Sequence, residues 1–288
     1  MAAQPVPVPI MPSTTNITLV GDVCIDHNVV NGRRYVSWGS SLMYMGRYLT
    51  SHSKANVAII AAHGKDFEQY IDGVKIVNSS VLNNSLIYEN IVQGEGRIQY
   101  CHNLSSSKPV DINSAVRKIL ENTDIFIFAP LTPNYSPEYI KSLLNHVPTG
   151  SLKLLTPQGF MRNIDDRGLV SKTNFSTAKD IVPLFDVVVA SDEDCDQALE
   201  AAQQWVSFNK DLEVIITQNK NGATLVNKNG LRHVSTAPVA ADDIVDLVGS
   251  GDVFSAQMIL DYYEGKDILQ AIADGNAAAR KKLLTPIR

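Results

Sequence analysis

Apolar residues fall into short runs along the chain, and their spacing switches between two periods. Asn16-Ile-Thr-Leu-Val20, Ala55-Asn-Val-Ala-Ile-Ile60, Asp124-Ile-Phe-Ile-Phe128, Leu152-Lys-Leu-Leu155, Asp186-Val-Val-Val-Ala190 and Glu213-Val-Ile-Ile216 are short apolar or alternating runs, all but the fourth carrying β-branched residues, which predicts strands. Helical spacing appears at 39–49, 112–122, 137–145, 253–263 and 268–283. Strands alternating with helices predict an α/β fold: a mostly parallel central sheet with helices on both faces. Three stretches depart from the alternation. Residues 27–38 hold Asn31-Gly32 between β-prone pieces, a strong hairpin signal, and 84–104 contain a second β-rich piece that turns at Gln93 to Gly96. Together they predict a small extra sheet. Ala223–Val226 and Leu231–Thr236, joined by Lys228-Asn-Gly230, predict an antiparallel hairpin.

No internal repeat, low-complexity segment or long linker divides 14–288, so one domain is expected there. Residues 1–13 are Pro-rich and read as a loosely held tail; they carry no basic start or long apolar core, so neither a signal peptide nor a membrane anchor is expected. A chain of 288 residues with 44% hydrophobic and 19% charged composition can bury a substantial core. Its net charge of −5, without a dense Lys/Arg cluster, argues against nucleic acid and toward small-molecule chemistry. Cys24, Cys101 and Cys195 are far apart and lack C-x-x-C spacing, which predicts neither a disulfide framework nor a zinc site. A reducing cytoplasm fits that usage.

The stretch Asp246-Leu-Val-Gly-Ser-Gly-Asp-Val-Phe-Ser-Ala256 passes from apolar sequence through small residues into an amphipathic run. Gly249, Ser250 and Gly251 leave the backbone uncovered, so successive amides can converge on an anion at the positive end of the following helix. Asp252 would repel a phosphate that was only to be bound, whereas a base taking a proton from an attacking hydroxyl belongs there. From the residues alone a second reading stays open: an ordinary loop with Asp252 as helix N-cap.

This stretch resembles the D-T-x-G-A-G-D-x-F signature of the ribokinase-like (PfkB) carbohydrate kinases. The resemblance implies a three-layer ribokinase-like fold whose small β lid is formed by 27–38 and 84–104. It implies a kinase that moves the γ-phosphoryl group of ATP, with Mg²⁺, to a hydroxyl of a sugar or polyol. Asp252 would be the base and Gly249, Ser250 and Gly251 the anion hole. A monovalent cation near Asp246 is common in the family, but Leu247 stands where Thr is usual, and that site is left open.

Other segments resemble the family in order along the chain. Gly21-Asp-Val-Cys-Ile-Asp26 is similar to its opening segment, whose last Asp holds sugar hydroxyls, so Asp26 is the first expected substrate residue. Gly39-Ser-Ser-Leu-Met-Tyr-Met-Gly46 is similar to G-G-x-x-x-N-x-A, with Ser40 for the second Gly and Tyr44 for Asn. Gly39 and Ser40 would let substrate approach the backbone; Tyr44 reads equally as a substrate contact or a core aromatic. His63-Gly64-Lys65-Asp66 matches a G-x-D turn in which His63 reads as a satisfied loop histidine. In Pro157-Gln-Gly-Phe-Met-Arg162 the guanidinium could face phosphate or form a surface salt bridge.

Ser191-Asp-Glu-Asp194 corresponds to N-x-x-E, where Asp194 would hold Mg²⁺ through water, the alternative being an acidic helix start at 192–194. Thr217-Gln-Asn-Lys-Asn-Gly222 is similar to T-x-G-x-x-G; Asn219 takes the place of the first Gly and tolerates left-handed angles. With Asn276 on the last helix, Thr217, Asn219 and Gly222 are the expected nucleotide contacts. The oligomeric state expected is monomer or homodimer. Two rival functions remain: a nucleoside kinase of the same superfamily, and a silent sugar- or nucleotide-binding protein suggested by Tyr44, Ser191 and Asn219. No Gly-x-Gly-x-x-Gly follows Val20, which disfavours a dinucleotide-binding dehydrogenase.

Overall fold

In Ile125-Phe126-Ile127-Phe128 every side chain is apolar, and the pleat sends successive residues to opposite faces, so this strand needs cover on both sides. The computed structural model describes residues 14–285 apart from 31, 71–72, 78–80 and 94–95, and in it both faces are covered. Ile125 and Ile127 join a core with Leu42, Met45, Phe254, Ile259 and Ile272. Phe126 and Phe128 join another with Val116, Ile140, Leu143 and Trp205. The layers are helix, sheet and helix, as predicted.

The strands of the two larger sheets are Asn16–Gly21 (β1), Cys24–Val30 (β2), Arg33–Gly39 (β3), Asn56–Ile60 (β4), Lys75–Val77 (β5), Leu86–Gln93 (β6), Gly96–His102 (β7), Ile125–Ala129 (β8), Leu152–Leu155 (β9), Val187–Ser191 (β10), Glu213–Thr217 (β11), Ala223–Asn227 (β12) and Gly230–Val234 (β13). The main sheet runs β13-β12-β11-β10-β9-β8-β1-β4-β5. Its pairs are parallel from β11 across to β5, while β12 and β13 are antiparallel at one edge. The chain winds outward from β1 toward β4 and then returns to lay β8 on β1's other side. Ligands of such sheets collect beyond the strand ends where the winding reverses.

The main helices are Ser41–His52 (α1), Ser114–Leu120 (α2), Pro137–Leu144 (α3), Ala198–Phe208 (α4), Ser250–Tyr263 (α5) and Ile268–Leu283 (α6). Helix α4 corrects the reading of an acidic helix start at 192–194. There the Ser191 hydroxyl accepts from Glu193 N at 3.1 Å and the Asp194 amide donates to Ser191 O at 3.1 Å, so the acids sit in a turn. The helix begins at Ala198, where Ala198, Ala202 and Trp205 form a buried stripe.

The second sheet, in the order β3-β2-β6-β7, is the expected lid, with β2 parallel to β6 and both hairpins antiparallel. The predicted turns at Asn31 and at Gly94-Glu95 lie outside the described residues, but both pairs of flanking strands form. One face carries a polar ladder across all four strands. Asn28 Nδ2 donates to Ser37 Oγ at 2.9 Å, Asn90 Nδ2 to Asn28 Oδ1 at 3.0 Å, and Gln99 Nε2 to Asn90 Oδ1 at 2.7 Å. Among the described residues no helix is long and apolar enough to cross a membrane.

Candidate active site

Helix α5 starts on Gly249, whose φ of +81° lies in the left-handed region. A Cβ there would come within 2.6 Å of the Tyr44 ring, so two independent constraints require glycine. The first full helical bond runs from Val253 N to Gly249 O at 3.0 Å, which leaves the amides of Gly251 and Asp252 ahead of the ladder. The Ser250 hydroxyl donates to Leu247 O at 3.1 Å and closes the turn. Gly251 is exposed, and a Cβ there would meet nothing within 4 Å. This turn has the form of an open anion cradle.

Asp252 stands in the first turn of α5 and is not the N-cap, a position that Gly249 takes. Burial pushes its carboxyl up to about 6, and the negative charge of Asp194 adds to the shift; a hydrogen bond with Ser41 and the charge of Arg162 oppose it. A carboxylate tuned to this range is ionised at neutral pH yet basic enough to accept a proton.

Arg162 is buried, which overturns the surface salt-bridge reading. Its Nη1 donates to Leu131 O at 3.2 Å, and its guanidinium lies 5.1 Å from the centroid of the Tyr88 ring on the lid strand β6. Asp194 contributes a negative charge to its surroundings and accepts from Gln158 Nε2 at 2.9 Å. Gln158 and Arg162 belong to the same Pro-Gln-Gly segment, so one short piece of chain places both the cation and the partner of Asp194.

On the acceptor side, Asp26 is buried on β2 rather than held in a solvated turn. Gly39 pairs with Cys24 across the hairpin, and a Cβ on it would overlap Cys24 Sγ and lie 2.6 Å from the Asp26 carboxyl. Cys24 Sγ donates to Asp26 Oδ1 at 3.6 Å. Ser40 keeps a glycine-like φ of +90° while its hydroxyl caps α1 by accepting from Met43 N at 3.2 Å. A non-glycine residue in that region stores on the order of 1–3 kcal/mol.

Tyr44 is both packing and polar: its ring lies against Gly249, and its enclosed hydroxyl has no hydrogen-bond partner of adequate geometry, although Ser37 is close by. Burial drives its phenol well above the usual range, and the charges of Asp26 and Asp252 add to that. Its hydroxyl is thus a buried polar group that feels both carboxylates without a partner of its own.

Of the expected nucleotide residues, Gly222 and Asn276 meet at the end of β13, whereas Thr217 and Asn219 bond to residues at and after the end of β10. Thr217 ends β11 and donates to Ala190 O at 3.3 Å. Asn219 adopts φ +49°, the left-handed conformation anticipated for it, and its amide donates to Glu193 Oε1 at 3.0 Å. Gly222, at φ +93°, lies so close to Val234 O that a side chain would collide. Asn276 Nδ2 donates to that same carbonyl at 3.2 Å.

Several contributors had weak sequence signals. Asp22 follows the first strand, a position that could have been read as a buried acid. It accepts from Ser107 Oγ, from Leu131 N at 2.8 Å, from Thr132 N at 3.2 Å and from Tyr135 OH at 2.9 Å. Ser41 and Gln158 lie inside segments that were recognised for their neighbours. Tyr88 had no signal, because its partner Arg162 is remote in sequence. His63 is buried and bonded to Gly64 O at 2.9 Å, so it is satisfied as expected, but it lies in a two-residue strand, His63–Gly64, paired with Val81–Leu82 and not in a loop.

Asp252 thus feels the charges of Asp194 and Arg162, and Tyr44 feels those of Asp26 and Asp252. No curated protein matches the chain in direct sequence comparison. Among solved structures, a pyrophosphate-dependent kinase in the ribokinase family, in a sulfate complex, superposes with TM-score 0.75 at 16% identity, covering 94% of this chain and 96% of that chain. Ribokinase from Thermotoga maritima gives 0.67 at 18%, covering 94% and 93%. Adenosine kinase from Trypanosoma brucei brucei gives 0.73 at 14%, covering 95% and 100%. These likenesses are of fold. The profile described as pfkB family carbohydrate kinase matches residues 53–286, four-fifths of the sequence, and the chain therefore belongs to that family of kinases.

Proposed function

We propose that the protein transfers the γ-phosphoryl group of ATP to a hydroxyl of a sugar or polyol, with Asp252 as general base. The observation that carries this reading is the position of Asp252, desolvated in the first turn of α5, with the bare Gly251 beside it and the charge of Arg162 within its field. Asp26 and the orphaned Tyr44 hydroxyl orient the acceptor. Asp252 takes the acceptor proton as its oxygen bonds to the γ-phosphorus, and the bond to the β-phosphate oxygen breaks to leave ADP. Charge on the transferring group falls on the turn of Gly249, Ser250 and Gly251, through the amides of Gly251 and Asp252 that stand ahead of the helix ladder, and on Arg162. Such positioning and charge stabilisation carry most of the catalysis in this chemistry.

Among the described residues no group of three His, Cys, Asp or Glu side chains could hold a metal ion. A lone carboxylate such as Asp194 fits a Mg²⁺ that keeps most of its water, and the ion would neutralise donor phosphates when bound. Thr217, Asn219, Gly222 and Asn276 remain the proposed nucleotide contacts. Asn219 and Asn276 are already bonded to Glu193 and Val234, and a pyrophosphate-dependent kinase shares the fold, so pyrophosphate is the second donor considered.

The test is turnover with ATP and with pyrophosphate against a panel of sugars, polyols and nucleosides. ATP-dependent phosphorylation of a sugar or polyol is expected, and Asp252→Asn should remove it. Turnover of nucleosides alone would move the protein to that class, and sugar binding without any turnover would make it a silent binder.

A further inference from the structure

The carboxylate of Asp246 opens the stretch that leads to the anion cradle, and it is almost fully enclosed. Its Oδ1 accepts from Val248 N at 3.0 Å, an Asx-type bond that shapes the approach to Gly249. Its Oδ2 pairs with Lys282 Nζ at 2.5 Å, with side-chain exposures of 7% for Asp246 and 15% for Lys282. The pairing is supported by backbone, since Val245 N donates to Leu283 O at 2.9 Å. Lys282 lies in the last turn of α6, where the helix carbonyls also favour positive charge. A monovalent cation at Asp246, the site left open because Leu247 stands where Thr is usual, does not fit these residues. Both carboxylate oxygens already have donors, and an ion there would face an ammonium of like charge.

We infer that Lys282 supplies, from within the chain, the positive charge that an alkali cation would otherwise bring to Asp246. The turn from Asp246 to Gly251 keeps its shape without K⁺ or Na⁺. A tethered ammonium also cannot dissociate, so the cradle is insensitive to which small cation surrounds the protein. The inference rests on the proposed phosphoryl transfer only where turnover is read; its stability readout needs no substrate.

The experiment compares the full-length protein in tetramethylammonium chloride, too bulky to enter, with KCl and NaCl at equal ionic strength. Thermal unfolding and turnover are both followed. Wild type should show the same midpoint in all three salts and turnover equal within about twofold. Lys282→Met keeps the apolar stem and removes the charge; it should lower the midpoint and cut turnover by roughly ten- to a hundredfold in tetramethylammonium. Added K⁺ or ammonium should then restore both by mass action. If Lys282→Met folds only in KCl, that is the same rescue in a stronger form. Lys282→Arg should remain indifferent to the salt. Wild type activated tenfold or more by K⁺, or stabilised by it, would overturn the inference, as would Lys282→Met equal to wild type in tetramethylammonium. A loss that no small cation reverses would also overturn it. A preparation without turnover on any acceptor would count against the kinase reading and leave the unfolding comparison intact.

Discussion

Burial raises the carboxyls of both Asp22 and Asp252, and the surroundings of the two are opposite in kind. At the end of β1, Asp22 is enclosed and receives the Ser107 and Tyr135 hydroxyls and the amides of Leu131 and Thr132. At the start of α5, Asp252 is half-buried, and the negative charge of Asp194 adds to the effect of burial. Burial raises both carboxyls, and for Asp22 each further influence pulls back down. Asp22 is thus a tie that fixes the segment after β8, including the Leu131 carbonyl on which Arg162 leans. Asp252 keeps its basicity available. The number of donors pointed at a buried acid separates a strut from a reagent.

The largest expected effect is on Asp252→Asn, which should lower kcat on the order of 10²–10⁴-fold while donor affinity holds. The same change should stabilise the protein. The folded state binds the Asp252 proton more tightly than the unfolded chain, so ionisation weakens the fold as pH rises from about 4 to about 6. Removing that ionisation should contribute roughly 1–2 kcal/mol above pH 7, less than the full shift implies because the group is partly solvated. Calorimetry on both proteins checks this; a destabilised Asp252→Asn would make the acid a strut after all.

For Asp22→Ala the expectation reverses. Hydrogen-bond donors would be left buried around a cavity, so stability should fall by roughly 3–5 kcal/mol, read by urea unfolding. Activity of whatever remains folded should fall less than in Asp252→Asn. Gly251→Val comes next: turnover should drop by on the order of 10²-fold as a branched side chain covers the amides, with an unfolding midpoint close to wild type, because nothing lies within 4 Å of the new Cβ. In wild type, kcat should rise with pH through about 6 and level off above 7, the form required of a base that must be ionised. A flat profile between pH 5 and 8 would detach Asp252 from the chemistry.

The smallest effect belongs to Tyr44→Phe, which removes a buried hydroxyl that has no partner. Stability should stay level or rise by up to about 1 kcal/mol, while acceptor KM increases if the hydroxyl meets substrate. An unchanged KM would return Tyr44 to packing alone.

Apart from the edge strand β5, whose three residues Lys75–Val77 are too short to make an apolar run, the strands of the central sheet were legible from such runs bounded by turns. The hairpin of β12 and β13 announced itself through Asn229-Gly230 for the same reason. Helix α4 was obscured by the acidic turn before it, since Asp192, Glu193 and Asp194 suit a helix start but bond locally instead. At the site, Asp252 was singled out by the likeness of 246–256 to the family signature, since the residues alone left an ordinary loop and N-cap equally open. Arg162 and Asp194 could be placed in the chain but not in space, for their meeting depends on Gln158 and on a register between β9 and β10. The Lys282 partner of Asp246 was invisible, separated from it by two helices.

The polar ladder from Ser37 through Asn28 and Asn90 to Gln99 has a mechanical consequence. Each rung joins adjacent strands by side chains as well as by backbone, so sliding one strand past its neighbour would break both sets of bonds together. Such a sheet resists shear and behaves as a stiff plate. Any movement of this sheet is then borne by its connections to the rest of the chain and not within it, and the cross-strand pairing of Asp26 with Ser37 stays intact.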